Sequence, residues 1–329
     1  MGKFLESEKL KQEAFKSNPF YFSDSARIDG VYKNKPRPFC LPLEFAEQNL
    51  IPEIRETAIL HFKKHKIKWH DGQNNKPSNH MCDSQVCCVN FLFPFANNPD
   101  TLAEVLKQIF PALKNMLPVE DSKFVSFEWI GQENYLGEKI SRNGKRTRGA
   151  NFTSADAIVM FNRTDNKRQV ILIEWKYTES YGGTFLKIAD SGTDRTAIYR
   201  HLFDSPDCPI NTEILPSFDA LFYEPFYQFM RQQFLAHEME KSHELGADIV
   251  TLMHIAPTHN TDFCRVTSPA LKKLGTSATN IWSKLVKPEG RFISISTEQI
   301  FGNLSANQMP QIKPWLDYIY ERYAWVSET

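Results

Sequence analysis

Three charged residues of a type and spacing suited to phosphodiester hydrolysis lie at the ends of two apolar stretches. Asp156 precedes the stretch AIVMF at 157–161. Glu174 and Lys176 follow the stretch ILI at 171–173. Two carboxylates repel each other unless a cation lies between them, and ligands that are all oxygen favour Mg²⁺ or Mn²⁺ over zinc. A lysine beside such a pair can orient water and neutralise charge on an attacked phosphate, so these residues are candidates for a hydrolytic metal site.

The segment between the two stretches predicts a β-hairpin. Its turn has the sequence NRTDNK at 162–167, and β-rich runs flank it. Pairing of these runs brings Asp156 and Glu174 to the same end of neighbouring strands. Residues two apart on a strand share a face, so Lys176 lies on the face of Glu174 while Trp175 points to the other.

A simpler interpretation of Glu-X-Lys is a solvated charge pair on an amphipathic strand. The runs before Glu174 and after Asp156 are apolar nearly throughout, which is typical of central strands that are buried on two faces. Ionised groups at the edge of a buried core need partners or a metal ion. The context therefore favours a functional site.

Asp156 and the Glu174-Trp175-Lys176 tripeptide resemble the motif of the PD-(D/E)XK nuclease superfamily, which includes restriction endonucleases. Within it, the chain is similar to a bacterial group with Ser-Gln, Asn-Phe, Ser-Ala-Asp-Ala and Glu-X-Lys-Tyr-Thr-Glu segments. Ala155 stands in place of the Pro that names the superfamily, and Asp83 stands where the group has Ser. The resemblance covers residues 81–255. The matching segments are DSQVCCVNFLFPF at 83–95, TSADAIVMF at 153–161 and EWKYTES at 174–180.

This resemblance implies an α/β fold with a restriction-endonuclease-like αβββαβ core, in which helices flank a central mixed sheet. It implies that Asp156, Glu174 and the Trp175 carbonyl bind Mg²⁺ or Mn²⁺ and that Lys176 assists the attacking water. The implied reaction is hydrolysis of phosphodiester bonds by a DNA endonuclease, which leaves a 5′-phosphate and a 3′-hydroxyl. An alternative is a non-catalytic nucleic-acid-binding or regulatory protein that retains the nuclease fold, because a fold does not guarantee activity.

Four further polar residues are candidates for the site. Gln85 stands at a predicted helix start, and its role rests on the resemblance. Glu128 ends a predicted strand, where a third carboxylate would permit a second metal ion and a surface glutamate is the alternative. Gln228 and Arg231 share one face of a predicted helix, and an arginine suits a bidentate phosphate contact. A solvent-facing polar pair is the alternative for these two.

The charge balance does not indicate nucleic-acid binding, since 39 basic residues offset 39 acidic residues. Local charge is more informative. Arg146 and Arg148 are predicted to contact phosphates of DNA, because they belong to a basic loop directly before the Asp156 strand. A second basic cluster spans 63–70, and for both clusters a solvated surface is the alternative. The members of the basic loop are Lys139, Arg142, Lys145, Arg146 and Arg148.

Cysteine and histidine patterns argue against other classes. The six cysteines follow no disulfide-scaffold spacing, and those at 82, 87 and 88 are interpreted as small core residues rather than zinc ligands. The histidines at 201, 237, 254 and 259 show no metal-ligand spacing. The sequence has neither an N-terminal signal pattern nor an apolar run of membrane-spanning length, which favours a cytoplasmic protein with no membrane partner.

The element order agrees with the implied fold. We expect a single domain over 1–329, with an N-terminal extension that contains a helix (1–80), a nuclease core (81–256) and C-terminal additions (257–329). Pro111 is expected to kink or shorten the helix in which it lies. Helices are predicted at 50–66, 85–92, 101–116, 193–203, 225–243 and 314–323, and strands at 123–130, around Asp156, before Glu174, at 247–255 and at 291–297.

Overall fold

The computed structural model describes residues 2–140, 144–150, 152–307 and 309–327. Its strands are β1 (Gly30–Tyr32), β2 (Lys35–Arg37), β3 (Leu113–Leu117), β4 (Val125–Trp129), β5 (Ala155–Arg163), β6 (Arg168–Trp175), β7 (Ile249–Ala256) and β8 (Phe292–Ser296). Its helices are α1 (Lys3–Lys16), α2 (Arg55–Lys64), α3 (Ser84–Leu92), α4 (Pro99–Lys107), α5 (Thr196–Phe203), α6 (Phe226–Lys241), α7 (Ala278–Leu285), α8 (Thr297–Phe301) and α9 (Lys313–Arg322).

Strands β3 to β8 form a mixed sheet of six strands. The predicted hairpin is present: β5 and β6 pair antiparallel, with Ala157 opposite Ile173. Strands β6, β7 and β8 run parallel. Both β3 and β4 pair antiparallel with β5. Strand β3 pairs with residues 160–163 of β5, and β4 pairs with residues 155–159. Together β3 and β4 form one edge of the sheet. The helices on both faces complete the predicted restriction-endonuclease-like α/β fold, which is confirmed.

Successive side chains along a strand point to opposite faces of the sheet, so the strands contribute to two separate hydrophobic cores. On one face, residues such as Val159 and Ile171 pack with apolar residues of α1, α3, α4 and α9. On the other face, residues such as Ile158 and Leu172 pack with α5, α6 and α7. Val170 and Leu172 of β6 point to this second face, and Glu174 continues the alternation, so its side chain emerges on the side of α6.

Two predicted helices are wrong in their extent. The helix expected over 50–66 begins only at Arg55, because residues 52–54 form a separate 3₁₀ turn that starts with a proline. The helix expected over 101–116 ends at Lys107. Pro111 has no amide hydrogen to continue a helix, and Leu113 and Met116 instead become buried at the sheet edge as part of β3. The helices expected at 85–92, 193–203, 225–243 and 314–323 are confirmed with small shifts of their ends.

Segments from both ends of the chain meet behind the strand that carries Glu174. The Tyr177 hydroxyl donates to Glu8 Oε2 at 2.6 Å, and the Trp325 indole donates to the same oxygen at 3.0 Å. Nearby, the buried Arg322 donates to Gln12 Oε1 at 3.0 Å. The N-terminal extension is therefore packed into the core rather than appended to it. None of the described helices is long and apolar enough to cross a membrane.

Candidate active site

The pairing of β5 with β6 brings Asp156 beside the Glu174-Trp175 segment. Asp156 Oδ2 accepts a hydrogen bond of 2.7 Å from the Trp175 amide, which fixes the orientation of this carboxylate. The register places Asp156 across from Glu174, one step beyond the Ala157–Ile173 pair. The two carboxylates singled out from the sequence thus occupy neighbouring strand ends.

Glu174 is fully buried, and each of its oxygens faces a partner. Oε1 forms an ion pair with Lys176 Nζ. Oε2 accepts a hydrogen bond from Gln232 Nε2 of α6, and the same amide donates to the Ser154 carbonyl at 2.9 Å. Lys176 is 6% exposed, so this ion pair is shielded from bulk water. Such shielding strengthens the electrostatic interactions within the site.

Buried charge shifts the protonation of these groups. Burial raises the pKa of Asp156 well above its usual range, the negative charge of Glu174 raises it further, and Lys176 opposes the shift. Burial by itself would lower the pKa of Lys176, but Glu174 and the other neighbouring acidic groups outweigh it, and the pKa of Lys176 lies well above its usual range. Lys176 is therefore an ammonium ion at neutral pH. For Asp156, by contrast, burial and the charge of Glu174 outweigh the positive charge of Lys176.

Glu128 is the third carboxylate at this end of the sheet. It has φ = 50°, in the left-handed region that residues other than glycine seldom adopt. Its Oε1 accepts from Gln85 Nε2 at 2.6 Å and its Oε2 accepts from Ser154 Oγ at 2.8 Å. Burial raises the pKa of Glu128, and the nearby Glu174 adds to this shift against the two hydrogen bonds. Backbone strain at a residue whose side chain is held this firmly is typical of functional sites.

Gln85 links Glu128 to the N-terminal extension. Besides its bond to Glu128, its Nε2 donates to the Lys68 carbonyl at 3.2 Å, and its Oε1 accepts from the His70 amide at 2.7 Å. The residue that caps the N-terminus of α3 is Asp83, whose Oδ1 accepts a hydrogen bond of 2.8 Å from the Val86 amide. Gln85 therefore orients Glu128, and a direct contact of Gln85 with phosphate or water stays a prediction.

The predicted pair on α6 lies near the site but does not reach Glu174. Arg231 Nη1 donates to Thr153 Oγ1 at 3.2 Å. Gln228 Oε1 accepts from the Tyr181 hydroxyl at 3.3 Å. The residue that contacts Glu174 is Gln232, which the sequence analysis missed. The sequence could have indicated Gln232, because it lies four residues after Gln228 on the same helix. Residues four apart share a helix face, as residues three apart do.

The basic loop is anchored to the protein itself. Arg146 Nη1 donates to the carbonyls of Gly131 and Gln132, at 3.1 and 3.3 Å. Arg148 Nη1 lies 3.0 Å from both carboxylate oxygens of Glu120. These bonds occupy donors that phosphates would otherwise use, so contacts of Arg146 and Arg148 with DNA stay predictions. Arg142, which was grouped with them, lies outside the described residues.

Arg148→Ala is expected to lower the free energy of unfolding by about 3 kcal/mol, because the change leaves the carboxylate of Glu120 without its paired charge. The two side chains are 13% and 17% exposed, so water replaces the guanidinium only in part. Urea unfolding measures the effect, and Lys139→Ala in the exposed part of the same loop is the matched control. An unchanged unfolding curve for Arg148→Ala, together with weaker DNA binding, would show that Arg148 serves the substrate instead.

The donor atoms at the strand ends fit a hard divalent cation. Asp156, Glu174 and the Trp175 carbonyl offer only oxygen, and the Trp175 carbonyl is oriented by Ser84 Oγ at 3.1 Å. In the described part of the chain, the carboxylates of Asp156, Glu174 and Glu128 do not form a group of three with ligand atoms all within 4.8 Å. Two carboxylates and the carbonyl are therefore the better ligand set for one ion.

Comparison with known protein families gives a match over most of the chain. A family model described as "Restriction Endonuclease associating with ARP" matches residues 9–324. A search of curated proteins finds no match, and neither does a search of solved structures. The matched range includes the strand ends described above, and it extends over α2 and α9, well beyond the segments that carry the sequence motifs.

Proposed function

Because the chain belongs to the family of restriction endonucleases associating with ARP, we propose that it is a metal-dependent nuclease that hydrolyses phosphodiester bonds of DNA. The observation that carries this proposal is the cluster of Asp156, Glu174 and Lys176 at neighbouring strand ends. Burial of these charges is unfavourable, and a sheet end with a purely structural role would be more stable with apolar or exposed residues there. Strongly shifted pKa values at such a cluster are typical of functional sites.

Asp156, Glu174 and the Trp175 carbonyl would hold the cation. Their oxygen atoms fit Mg²⁺ or Mn²⁺, and the excess of carboxylate over ammonium charge favours a divalent ion. A cation bound there supplies Lewis-acid stabilisation of the attacked phosphate and acidifies water. The Trp175 amide on Asp156 and the Gln232 amide on Glu174 keep both carboxylates in place before substrate arrives.

Lys176 and Glu128 have separate roles in the proposed reaction. The Lys176 ammonium, held by Glu174, neutralises negative charge that develops on the phosphate during attack. Glu128 faces the same strand ends, and a carboxylate with a raised pKa accepts a proton from water more readily than an ordinary glutamate. In the proposed reaction, Lys176 thus stabilises charge and Glu128 accepts the proton.

Incubation with DNA in the presence of Mg²⁺ or Mn²⁺ tests this function. We expect cleavage of linear and covalently closed circular DNA and loss of cleavage with a chelator. Cleavage of the circle distinguishes an endonuclease from an exonuclease, and ends that a DNA ligase rejoins confirm the 5′-phosphate and 3′-hydroxyl. Single-stranded DNA, branched DNA and RNA of matched length define the substrate class.

The non-catalytic alternative predicts a different outcome of these incubations. Binding of DNA without cleavage of any of these substrates, in either metal, would support the non-catalytic alternative. The internal contacts of Arg146 and Arg148 and the balanced net charge argue against a protein whose main task is to bind DNA.

A further inference from the structure

A second cluster of metal-ligand side chains lies apart from Asp156 and Glu174. His61 and His65 stand four residues apart on one face of α2 and at its C-terminal end, and Glu120 follows β3. In the residues that the structure describes, these three form the one group of at least three His, Cys, Asp or Glu side chains with ligand atoms all within 4.8 Å. The sequence analysis considered other histidines and missed this group, because Glu120 is distant in sequence.

His61 has a buried ring nitrogen without a hydrogen-bond partner among the residues that the structure describes. The residue is 5% exposed, and the nitrogen concerned is Nε2. The nearest carboxylate oxygen, Glu120 Oε1, lies 3.7 Å away, which is too long for a hydrogen bond. A neutral imidazole with an unused nitrogen is the form that ligates metal ions.

The spacing of the ligand atoms fits a small tetrahedral ion. His65 Nδ1 lies 3.3 Å from Glu120 Oε2, close to the 3.7 Å of the His61 contact. Ligands about 2.0 Å from a tetrahedral zinc ion lie about 3.3 Å from one another. The two contacts use different oxygens of Glu120, and the three ligand atoms lie within 4.8 Å of one another, so the side chains must move closer together to hold one ion.

The surroundings supply the outer contacts that metal ligands usually have. The other ring nitrogen of His65, Nε2, lies 2.6 Å from Asp121 Oδ2, the arrangement that fixes the tautomer and orientation of a ligating histidine. Glu120 is held by Arg148 at 3.0 Å, and a carboxylate has about four acceptor positions, so it can accept from Arg148 and also ligate. Asp121 adds a negative charge, but Arg148 and Lys64, whose Nζ lies 2.5 Å from Asp121 Oδ2, balance the two carboxylates, so attraction for a cation depends on the ligand atoms rather than on net charge.

We propose that His61 Nε2, His65 Nδ1 and Glu120 bind a late first-row divalent cation, with Zn²⁺ the preferred ion and water as the fourth ligand. Two imidazoles and one carboxylate suit Zn²⁺ and are poor ligands for Mg²⁺. A surface cavity of about 450 Å³, lined in part by His65 and Glu120, gives the ion and its water a route of entry.

Such an ion joins the N-terminal extension to the sheet. It links α2 to the segment between β3 and β4, and Glu120 also accepts a hydrogen bond from Ser126 of β4. Ser126 lies two residues before Glu128, so the ion supports the strand that carries the third carboxylate of the candidate active site. This assignment does not depend on the proposed nuclease activity.

Calorimetric titration of the metal-stripped full chain with Zn²⁺, in the presence of excess Mg²⁺, tests the site. We expect one Zn²⁺ per chain, and Co²⁺ in its place should give the intense visible absorption of a tetrahedral site. His65→Gln, which changes a side chain that is 16% exposed, should weaken Zn²⁺ binding at least about tenfold. His61→Gln should do the same, and bound Zn²⁺ should raise the melting temperature of the wild type.

Two variants serve as controls. His259→Gln removes an exposed histidine elsewhere, and Asp156→Asn alters the candidate active site, so both should bind Zn²⁺ like the wild type. The proposal is overturned if the wild type binds no Zn²⁺, if His65→Gln binds it with unchanged affinity, or if Asp156→Asn abolishes binding. The first of these results would leave the cluster as contacts of His65 with its two acidic neighbours.

Discussion

Asp156→Asn is expected to abolish detectable cleavage of DNA, a loss of roughly 10²- to 10⁴-fold or more, and to make the metal-free protein more stable. The loss follows because Asn has no charge with which to hold the cation between Asp156 and Glu174. The gain follows because burial and the charge of Glu174 disfavour the ionised form of Asp156 in the folded protein. Asn keeps the shape of the side chain and can still accept the hydrogen bond from the Trp175 amide.

The gain in stability depends on pH in a defined direction. The folded-state pKa of Asp156 is raised above the ordinary value of 3.8. Its contribution to stability is therefore fully present below the unfolded-state pKa and is lost as the pH rises through the folded-state pKa. In a chelator, the melting temperature of the wild type should fall relative to that of Asp156→Asn as the pH rises above about 4.

Thermal melts of both proteins across pH, with and without Mn²⁺, measure this difference. Mn²⁺ should raise the melting temperature of the wild type and have little effect on Asp156→Asn. Asp190→Asn, at an exposed position, is the control and should match the wild type. Wild-type cleavage by Asp156→Asn would place the catalytic cation elsewhere.

Lys176→Met is expected to slow cleavage by roughly 10²- to 10⁴-fold while DNA affinity stays near that of the wild type, because the ammonium acts on charge that develops during attack. The same change leaves Glu174 buried without its paired charge. The free energy of unfolding of the metal-free protein should therefore fall by about 3–5 kcal/mol. Single-turnover cleavage, DNA binding in a chelator and urea unfolding give the three values.

A double variant separates the chemical role of Lys176 from its structural role. Glu174→Gln with Lys176→Met removes both charges, so it should recover much of the lost stability and none of the lost activity. Lys107→Ala, at an exposed position on α4, controls for the loss of a lysine charge. Normal turnover by Lys176→Met would exclude the role proposed for this lysine.

The strands that carry the candidate site could be predicted because their pattern is local. The apolar runs beside Asp156 and Glu174, separated by a polar turn, contain the information for a hairpin, and the two-residue period places Lys176 on the face of Glu174. The parallel strand β7 and helix α6 were equally visible as an apolar run and a long amphipathic segment. These features do not depend on which distant residues they meet.

What the sequence analysis missed depends on partners that are far apart in the chain. Arg148 belongs to a basic run, and only the fold shows that it pairs with Glu120 rather than facing solvent. The bond between Gln85 and Glu128 joins a helix start to a strand end with no spacing rule between them. The residues of β3 were included in a helix predicted at 101–116, and their pairing with β5 and burial at the sheet edge override that local prediction.

Tyr177 stands one residue after Lys176, and it is held by Glu8 and Trp325 together. A ribosome adds residue 325 long after residue 176, so this support forms only when the last helices have emerged and docked. A nascent chain can therefore contain Asp156, Glu174 and Lys176 before Trp325, which packs behind their strand, has been synthesised. Under the proposed nuclease function, this order of assembly would delay activity until translation has passed beyond α9.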